Sequence, residues 1–203
     1  MTASTLFDSF GSLKYTFEQS RLDISSISQV DREEYDIDQL YNKSSIELGL
    51  ERITALPLFN PDFGSFTSLA FHYSGLGLNS KYHFFRPSFD YRKYTFITDW
   101  LVIAFRIKMS TIFSLDDDNF VPFEERLYSG GSSSNRGWAR ADLGPKNSES
   151  KPSGGKSLFE GNFEIRYPIY SIVSGVAFVD FGNVWKSQLT FKVNEFNMQP
   201  DWV

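Results

Sequence analysis

The segment Trp100-Leu-Val-Ile-Ala-Phe-Arg-Ile-Lys-Met-Ser110 decides the fold, because its side chains alternate in character along the chain. One row is wholly apolar and holds Leu101, Ile103, Phe105, Ile107 and Met109. The other row holds Val102, Ala104, Arg106, Lys108 and Ser110, so two cations lie in mid-segment. A period of two is typical of a β-strand whose two faces meet different surroundings.

The same period recurs on both sides of this segment. With Trp100–Phe113, the alternating segments form about seven predicted strands, namely Leu13–Ile24, Ser45–Ile53, Phe66–Tyr73, Tyr82–Tyr94, Leu158–Tyr167 and Val176–Trp185. Ser187–Val193 is a possible further strand, Asp31–Tyr41 is interpreted as a polar loop, and no amphipathic helix is predicted. Repeated short strands usually form a sandwich or a barrel. Segments of about 10–14 residues exceed the usual ~5–6 residues of globular strands, which favours an all-β, antiparallel up-and-down meander within a transmembrane β-barrel.

The lengths of the predicted connections support a membrane barrel. Outer-membrane barrels have long outer loops and short periplasmic turns. In chain order the connections are long, medium, short, tight, very long and tight, at Ser25–Ser44, Ala55–Gly64, Gly75–Ser80, Thr98–Asp99, Ser114–Ser157 and Ile169–Ser174. The long and the tight ones fall at alternate positions, although Gly75–Ser80 fits this alternation only weakly.

Composition excludes several classes of protein. The 203 residues carry a net charge of −5, which argues against nucleic acid as a partner, and they include no cysteine for disulfides or thiolate metal sites. The longest apolar run, Trp100–Phe105, is far shorter than the ~20 residues of a membrane helix. The N-terminus lacks the features of a signal peptide. An exported chain needs one, so we expect either an internal protein or a true start upstream of Met1.

Motifs that resemble catalytic or metal sites are incomplete. Gly154-Gly-Lys-Ser157 lacks the first glycine of a phosphate loop, and Asp116-Asp-Asp-Asn119 lacks the glycine and distal glutamate of a calcium loop. His72 and His83 fall on opposite faces by parity, so a shared metal is not expected. We predict no enzyme activity, no catalytic residue, no cofactor and no metal.

From Phe120 onward the sequence resembles the BamA/TamA family of outer-membrane insertase barrels, the bacterial surface antigen family. The resemblance covers about a third of the chain and rests on Gly130-Gly131, Ser134-Asn-Arg-Gly-Trp138, Leu143-Gly-Pro145, Glu164-Ile-Arg-Tyr-Pro168 and Phe178-Val-Asp-Phe-Gly-Asn-Val-Trp185. In that family the loop arginine reaches into the lumen and pairs with acidic residues on the next two strands. The resemblance therefore implies a loop-anchoring motif of Arg136, Gly137 and Trp138, with Glu164 and Asp180 as its lumen partners.

Two competing interpretations of these residues remain open. Arg136 beside Gly and Ser is also typical of a solvated loop arginine, and Arg166 could satisfy Glu164 across the same face. Asn135 stands where the family commonly has valine. Gly182 is interpreted either as a point of close approach between loop and wall or as a kink.

The resemblance also implies a location and partners. Residues 1–203 would form a partial outer-membrane β-barrel domain, about seven of sixteen strands, with a long extracellular loop at about 114–157. POTRA domains and the remaining strands would lie outside this chain. The implied location is the outer membrane of a Gram-negative type of cell. The implied partners are outer-membrane lipids, unfolded outer-membrane protein substrates and subunits of an assembly complex.

Three functions are compatible with the sequence. The first is assembly, insertion or translocation of outer-membrane proteins. The second is a two-partner secretion pore, and the third is a soluble β-sandwich binding module.

For a barrel, parity predicts a convex apolar face and a concave polar face. The convex set is Leu101, Ile103, Phe105, Ile107, Phe163, Ile165, Val179 and Phe181. The concave set is Arg106, Lys108, Glu164, Arg166 and Asp180.

Overall fold

The computed structural model describes residues 8–21, 40–77, 80–116, 120–170 and 173–202. The end of the first predicted strand, at residues 22–24, and most of the predicted loop at residues 31–41 lie outside these ranges. The strands are β1 (Ser9–Arg21), β2 (Leu40–Ile53), β3 (Gly64–Ser74), β4 (Phe84–Thr98), β5 (Leu101–Thr111), β6 (Phe113–Ser114), β7 (Ser157–Tyr170), β8 (Val173–Trp185) and β9 (Asn197–Trp202). Within the described ranges, two short 3-10 turns cover Phe123–Glu125 and Val193–Glu195.

All the described strands belong to one antiparallel sheet. Its order is β1-β2-β3-β4-β5-β7-β8-β9, so neighbours in space are neighbours in sequence, and the two-residue β6 pairs with β4. β1 and β9 are the two edges of this path. The predicted up-and-down meander is confirmed, and the β-sandwich interpretation is wrong because the strands form a single continuous sheet. No helix in the described ranges is long and apolar enough to cross a membrane.

The seven predicted strands correspond in order to β1–β5, β7 and β8, and the sheet adds β9 at its edge. The possible strand at Ser187–Val193 is wrong. In that segment the amides of Leu189 and Thr190 donate to the hydroxyls of Thr111 and Ser157, at 3.1 and 3.2 Å. Those amides are therefore not available to a strand ladder, and the chain pairs with β8 only from Asn197 onward.

The strand register separates charged from apolar side chains as parity predicts. Arg106 lies opposite Asn162, which lies opposite Asp180, so these three side chains share one face of the sheet. The alternate rows share the other face, and many of its large side chains are exposed, including Leu13, Tyr15, Phe17, Leu48, Leu50, Leu69, Phe71 and Phe163. The two predicted sets therefore lie on opposite faces.

A small apolar core lies where the chain leaves the sheet after β5. Tyr82, Phe84, Ile112 and Val121 are buried together, with Phe120 and Leu127 packed against them. The segment that follows (residues 115–156, the long loop) folds against the charged face of the sheet, as its contacts with Arg106, Glu160 and Asp180 show. The core thus packs the start of the loop against the end of the sheet.

Candidate functional site

The long loop is held in a compact shape by its own backbone. Isolated bridges join Leu127 to Gly155 and Ser129 to Leu143. At the loop tip (residues 130–138), Gly130 and Gly131 have φ of 110° and 105°, a region that favours glycine. A Cβ on Gly130 would lie 2.4 Å from the carbonyl oxygen of Ala139, so any side chain at this position would clash with the loop backbone.

Arg136 at this tip binds Asp180 of β8 through three hydrogen bonds. Its Nε and Nη2 donate to Oδ2 and Oδ1 at 2.8 and 2.7 Å, and its backbone amide donates to Oδ2 at 2.8 Å. Such a two-pronged pair is the strongest arrangement between a guanidinium and a carboxylate. The Asp180 side chain is fully buried, so Arg136 supplies most of the charge compensation that burial demands.

Arg136 also reaches Glu164 of β7. Its Nη1 donates to Oε1 at 2.7 Å, so one guanidinium holds carboxylates on two neighbouring strands. Hydrogen bonding to Asp180, and then to Glu164, raises the pKa of Arg136 above its ordinary value. The structure thus brings together the three charged residues that the sequence singled out.

The second oxygen of Glu164 is occupied by Arg166. The Nε and Nη2 of Arg166 donate to Oε2 of Glu164 at 2.9 and 2.7 Å. Glu164 therefore has both arginines as partners at once, one from the loop and one from its own strand. Arg166 further donates to the Asn60 side chain and the Pro61 carbonyl, at 3.0 and 3.1 Å.

Asp180 has a neutral partner as well. The Nδ2 of Asn162, directly opposite on β7, donates to Oδ1 of Asp180 at 2.8 Å and to the carbonyl of Ser134 at 3.2 Å. The buried carboxylate of Glu160 accepts from the hydroxyl of Ser134. The loop backbone and the strand side chains are thus joined by neutral as well as ionic bonds.

Asn135, the residue before Arg136, is fully buried. Its Nδ2 donates to the hydroxyl of Ser129 at 3.0 Å, and its Oδ1 has no protein partner in the described structure. A Cβ on Gly182 would lie 3.2 Å from this Nδ2 and 2.2 Å from the carbonyl oxygen of Phe159. Because Gly182 has no side chain, Asn135 of the loop can approach the backbone of β8 closely.

The other two residues of the predicted motif lie beside Arg136 in the loop. Gly137 is exposed and stands in the turn that follows Arg136, and Trp138 is half-buried. The carbonyl of Trp138 accepts from the amide of Gly131 at 2.9 Å, which closes the base of the tip. Trp138 thus contributes its backbone to the loop.

The residues that support the arginine were not predicted from the sequence. Phe178 lies under the guanidinium, with 3.5 Å between the Arg136 Cζ and the ring centre. Phe178, Asn162 and Asp180 follow the same parity on β7 and β8, so parity was the available signal for the shared face. The partnership of Arg166 with Asn60 joins residues 106 positions apart and left no local signal.

The described residues hold no cluster of metal-ligating side chains. His72 approaches Glu47, whereas the His83 ring bonds to Asp116 at 2.9 Å, so the two histidines have separate partners. In the segment Gly154–Ser157, the amide of Gly155 donates to the carbonyl of Leu127, so this amide is part of the hydrogen bonding within the loop backbone.

Comparison with known proteins gives two findings. The model of the Omp85 superfamily domain matches residues 4–197. The crystal structure of BamA from Haemophilus ducreyi lacking POTRA domains 1–3 has the same fold, with a TM-score of 0.69 at 20% identity. That alignment covers 88% of this chain and 38% of the BamA chain, so this chain spans well under half of its length. No curated protein matches the sequence.

Proposed function

Because this chain belongs to the Omp85 superfamily, we propose that it forms part of an outer-membrane barrel that assembles, inserts or translocates outer-membrane proteins. The observation that carries the proposal is the pairing of Arg136 in the long loop with Glu164 and Asp180 on the sheet. In this proposal residues 1–203 contribute one part of the barrel wall. The connection at about 114–157 is its extracellular loop, folded back into the lumen.

The two faces of the sheet suit a membrane barrel. β2 to β5, β7 and β8 each contain 11–15 residues, enough for the ~9–11 residues that a tilted strand needs to cross a bilayer. The face rich in Phe, Leu and Ile would meet outer-membrane lipid. The face with Arg106, Glu164 and Asp180 would line a polar lumen, where charge is tolerated. The chain would then reside in the outer membrane of a Gram-negative type of cell.

Within this barrel the proposed work of Arg136 is to anchor the loop to the wall. Its partner Asp180 is fully buried, so removal of the arginine would leave an uncompensated charge. The cost of such a change reaches about 3–5 kcal/mol when burial is complete. Because Arg136 is 27% exposed, the loss is expected toward the lower end of that range. The proposed partners are unfolded outer-membrane proteins, with subunits of an assembly complex.

The proposal is tested with Arg136→Ala in the full-length protein, with Arg140→Ala as the matched control on the same loop, where Arg140 is exposed. The readout is insertion of a model outer-membrane barrel into vesicles. Insertion is measured by the resistance of the inserted barrel to unfolding in cold detergent. We expect Arg136→Ala to lower insertion strongly, Arg136→Lys to restore part of it, and Arg140→Ala to have no effect. Lysine lacks the planar fork that binds two carboxylates.

A charge exchange tests the pairing itself. Arg136→Asp and Asp180→Arg should each impair insertion, and their combination should recover a measurable part of it. If both single variants insert the model barrel as well as the wild type, the anchoring role and the proposed function lose their support. If the full-length protein instead exports a soluble client and inserts no barrel, it is a secretion pore.

A further inference from the structure

We propose that Glu125 is a second positioning residue, which fixes the root of the long loop (residues 120–127) to β2 and β4 independently of the tip. The loop then acts as a strap fastened at two separate points. This inference rests on the proposed anchoring of the loop but not on the insertion activity.

Glu125 binds basic side chains of two strands. It ends the 3-10 turn Phe123–Glu125, and its side chain is 9% exposed. Its Oε1 accepts from the ammonium of Lys43 on β2. Its Oε2 and its backbone carbonyl accept from Nη1 of Arg86 on β4, at 3.4 and 3.2 Å. One loop carboxylate therefore holds cations from two strands that are separated by β3.

The surroundings of this ion pair strengthen it. Val121 and Leu127 flank Glu125 in sequence and pack with Tyr82 and Phe84 in the apolar core. The carbonyl of Val121 also accepts from Nε of Arg126 at 2.9 Å, which ties the turn to that core. Beside a water-poor core an ion pair is screened less than on an open surface, so loss of one partner is costly.

The strands also supply acids to these cations, which limits what Glu125 does alone. Lys43 lies directly opposite Glu18 of β1. Glu47 lies opposite His72, which lies opposite Arg86, so Glu47 shares a face with that arginine. These acids belong to the sheet, whereas Glu125 belongs to the loop. The pairing with Lys43 and Arg86 therefore attaches the loop to the sheet, while the strand acids balance charge within the sheet.

The two anchors share no residue. The tip binds Glu164 on β7 and Asp180 on β8, and the carbonyl of Ser133 accepts from Arg106 on β5. The root binds β2 and β4. The strap therefore runs from the β2–β4 side of the sheet to the β7–β8 side.

The experiment measures spin-label distances in the full-length protein in detergent. A root pair joins residue 124 to Leu48 on β2, and a tip pair joins Ser132 to Val179 on β8. We expect Glu125→Gln to broaden the root distribution and to extend it to longer distances, as for a segment that opens locally, and to leave the tip pair unchanged. Arg136→Ala should broaden the tip distribution and leave the root pair unchanged. Glu149→Gln, at an exposed carboxylate of the same loop, should change neither pair.

Arg86→Gln tests the same contact from the strand, and the double variant with Glu125→Gln completes the cycle. We expect the double variant to broaden the root distribution by less than the sum of the two single variants, because both single variants lose the bond between Arg86 and the Glu125 side chain. The inference is overturned if Glu125→Gln leaves the root distribution unchanged, or if root and tip always broaden together. A protein without insertion activity that still shows both separate responses would overturn the proposed function and leave this anchor standing.

Discussion

The guanidinium carbon of Arg136 lies 3.5 Å from the centre of the Phe178 ring. The cation therefore stacks on an aromatic face while its nitrogens bind two carboxylates at its edge. Phe178 lies directly opposite Glu164 and two residues before Asp180. The ring thus forms the floor of the site and covers one face of the guanidinium, a surface on which arginine commonly stacks.

Phe178→Leu should loosen the loop tip while leaving both carboxylates in place. Loss of the cation–π contact is expected to cost about 1 kcal/mol at a partly desolvated site. The measurement is amide hydrogen exchange of the full-length protein, and we expect faster exchange at residues 130–138 in the variant. Phe178→Tyr should exchange like the wild type, and Phe163→Leu, on the other face of the sheet, is the control. Equal exchange in the Leu and Tyr variants would show that the ring face contributes nothing.

Arg166→Gln should release two distant segments at once, because Arg166 holds Glu164 beside the loop tip and also holds Asn60 and Pro61. Since each hydrogen bond to a charged group is worth about 1.5–3 kcal/mol, exchange should accelerate in residues 54–63 and, more weakly, at the tip. Arg92→Gln removes a cation of β4 that pairs with Asp90 instead, and it should leave residues 54–63 unchanged. Acceleration confined to the tip would disprove the link between the two segments.

Periodicity predicted the parts of this fold that depend on neighbouring residues. The alternation along β5 and β7 fixed which side chains share a face, because a strand has only two faces. The pairing of Arg136 with Glu164 and Asp180 followed from the resemblance to known barrels. The loop must cross the sheet to make that pairing. Residues 120–138 alone contain no pattern that predicts this course of the backbone.

The features that escaped prediction depend on contacts between distant residues. Glu125 resembles a solvated loop acid until Lys43 and Arg86 are seen beside it. β9 has little alternation, and it contains Pro200, which lacks an amide donor and suits an edge strand. Ser187–Val193 is more apolar than β9, yet two of its amides donate to hydroxyls of β5 and β7. Pattern alone therefore placed the last strand too early.

Gly161→Ala should destabilise the sheet, because the ring of Phe181 lies over this glycine. A Cβ on Gly161 would be 2.2 Å from Cζ of Phe181, its cross-strand partner. Overpacking of this kind costs about 1–3 kcal/mol. Urea unfolding of the full-length protein in detergent measures the loss.

Two controls separate this clash from the general effect of replacing glycine in a strand. Gly11→Ala places a Cβ no closer than 3.9 Å to Leu50, and it should be neutral or slightly stabilising. In a Phe181→Leu background the cost of Gly161→Ala should shrink, since the ring is gone. An undiminished cost in that background would mean that the ring is not the cause.

The two faces of β5 should meet different environments in the membrane. We expect spin labels placed singly at residues 101–109 to alternate in relaxation by oxygen, which concentrates in lipid, and by a polar nickel complex, which stays in water. Labels at Ile103, Phe105 and Ile107 should respond to oxygen, and those at Ala104, Arg106 and Lys108 to nickel. The reason is that the apolar face must meet hydrocarbon while the charged face stays solvated. Labels on β3 at Ser68, Leu69, Ala70 and Phe71 repeat the test away from the long loop, which itself shields part of β5. A response without a period of two on both strands, or one with the two faces exchanged, would contradict the membrane barrel.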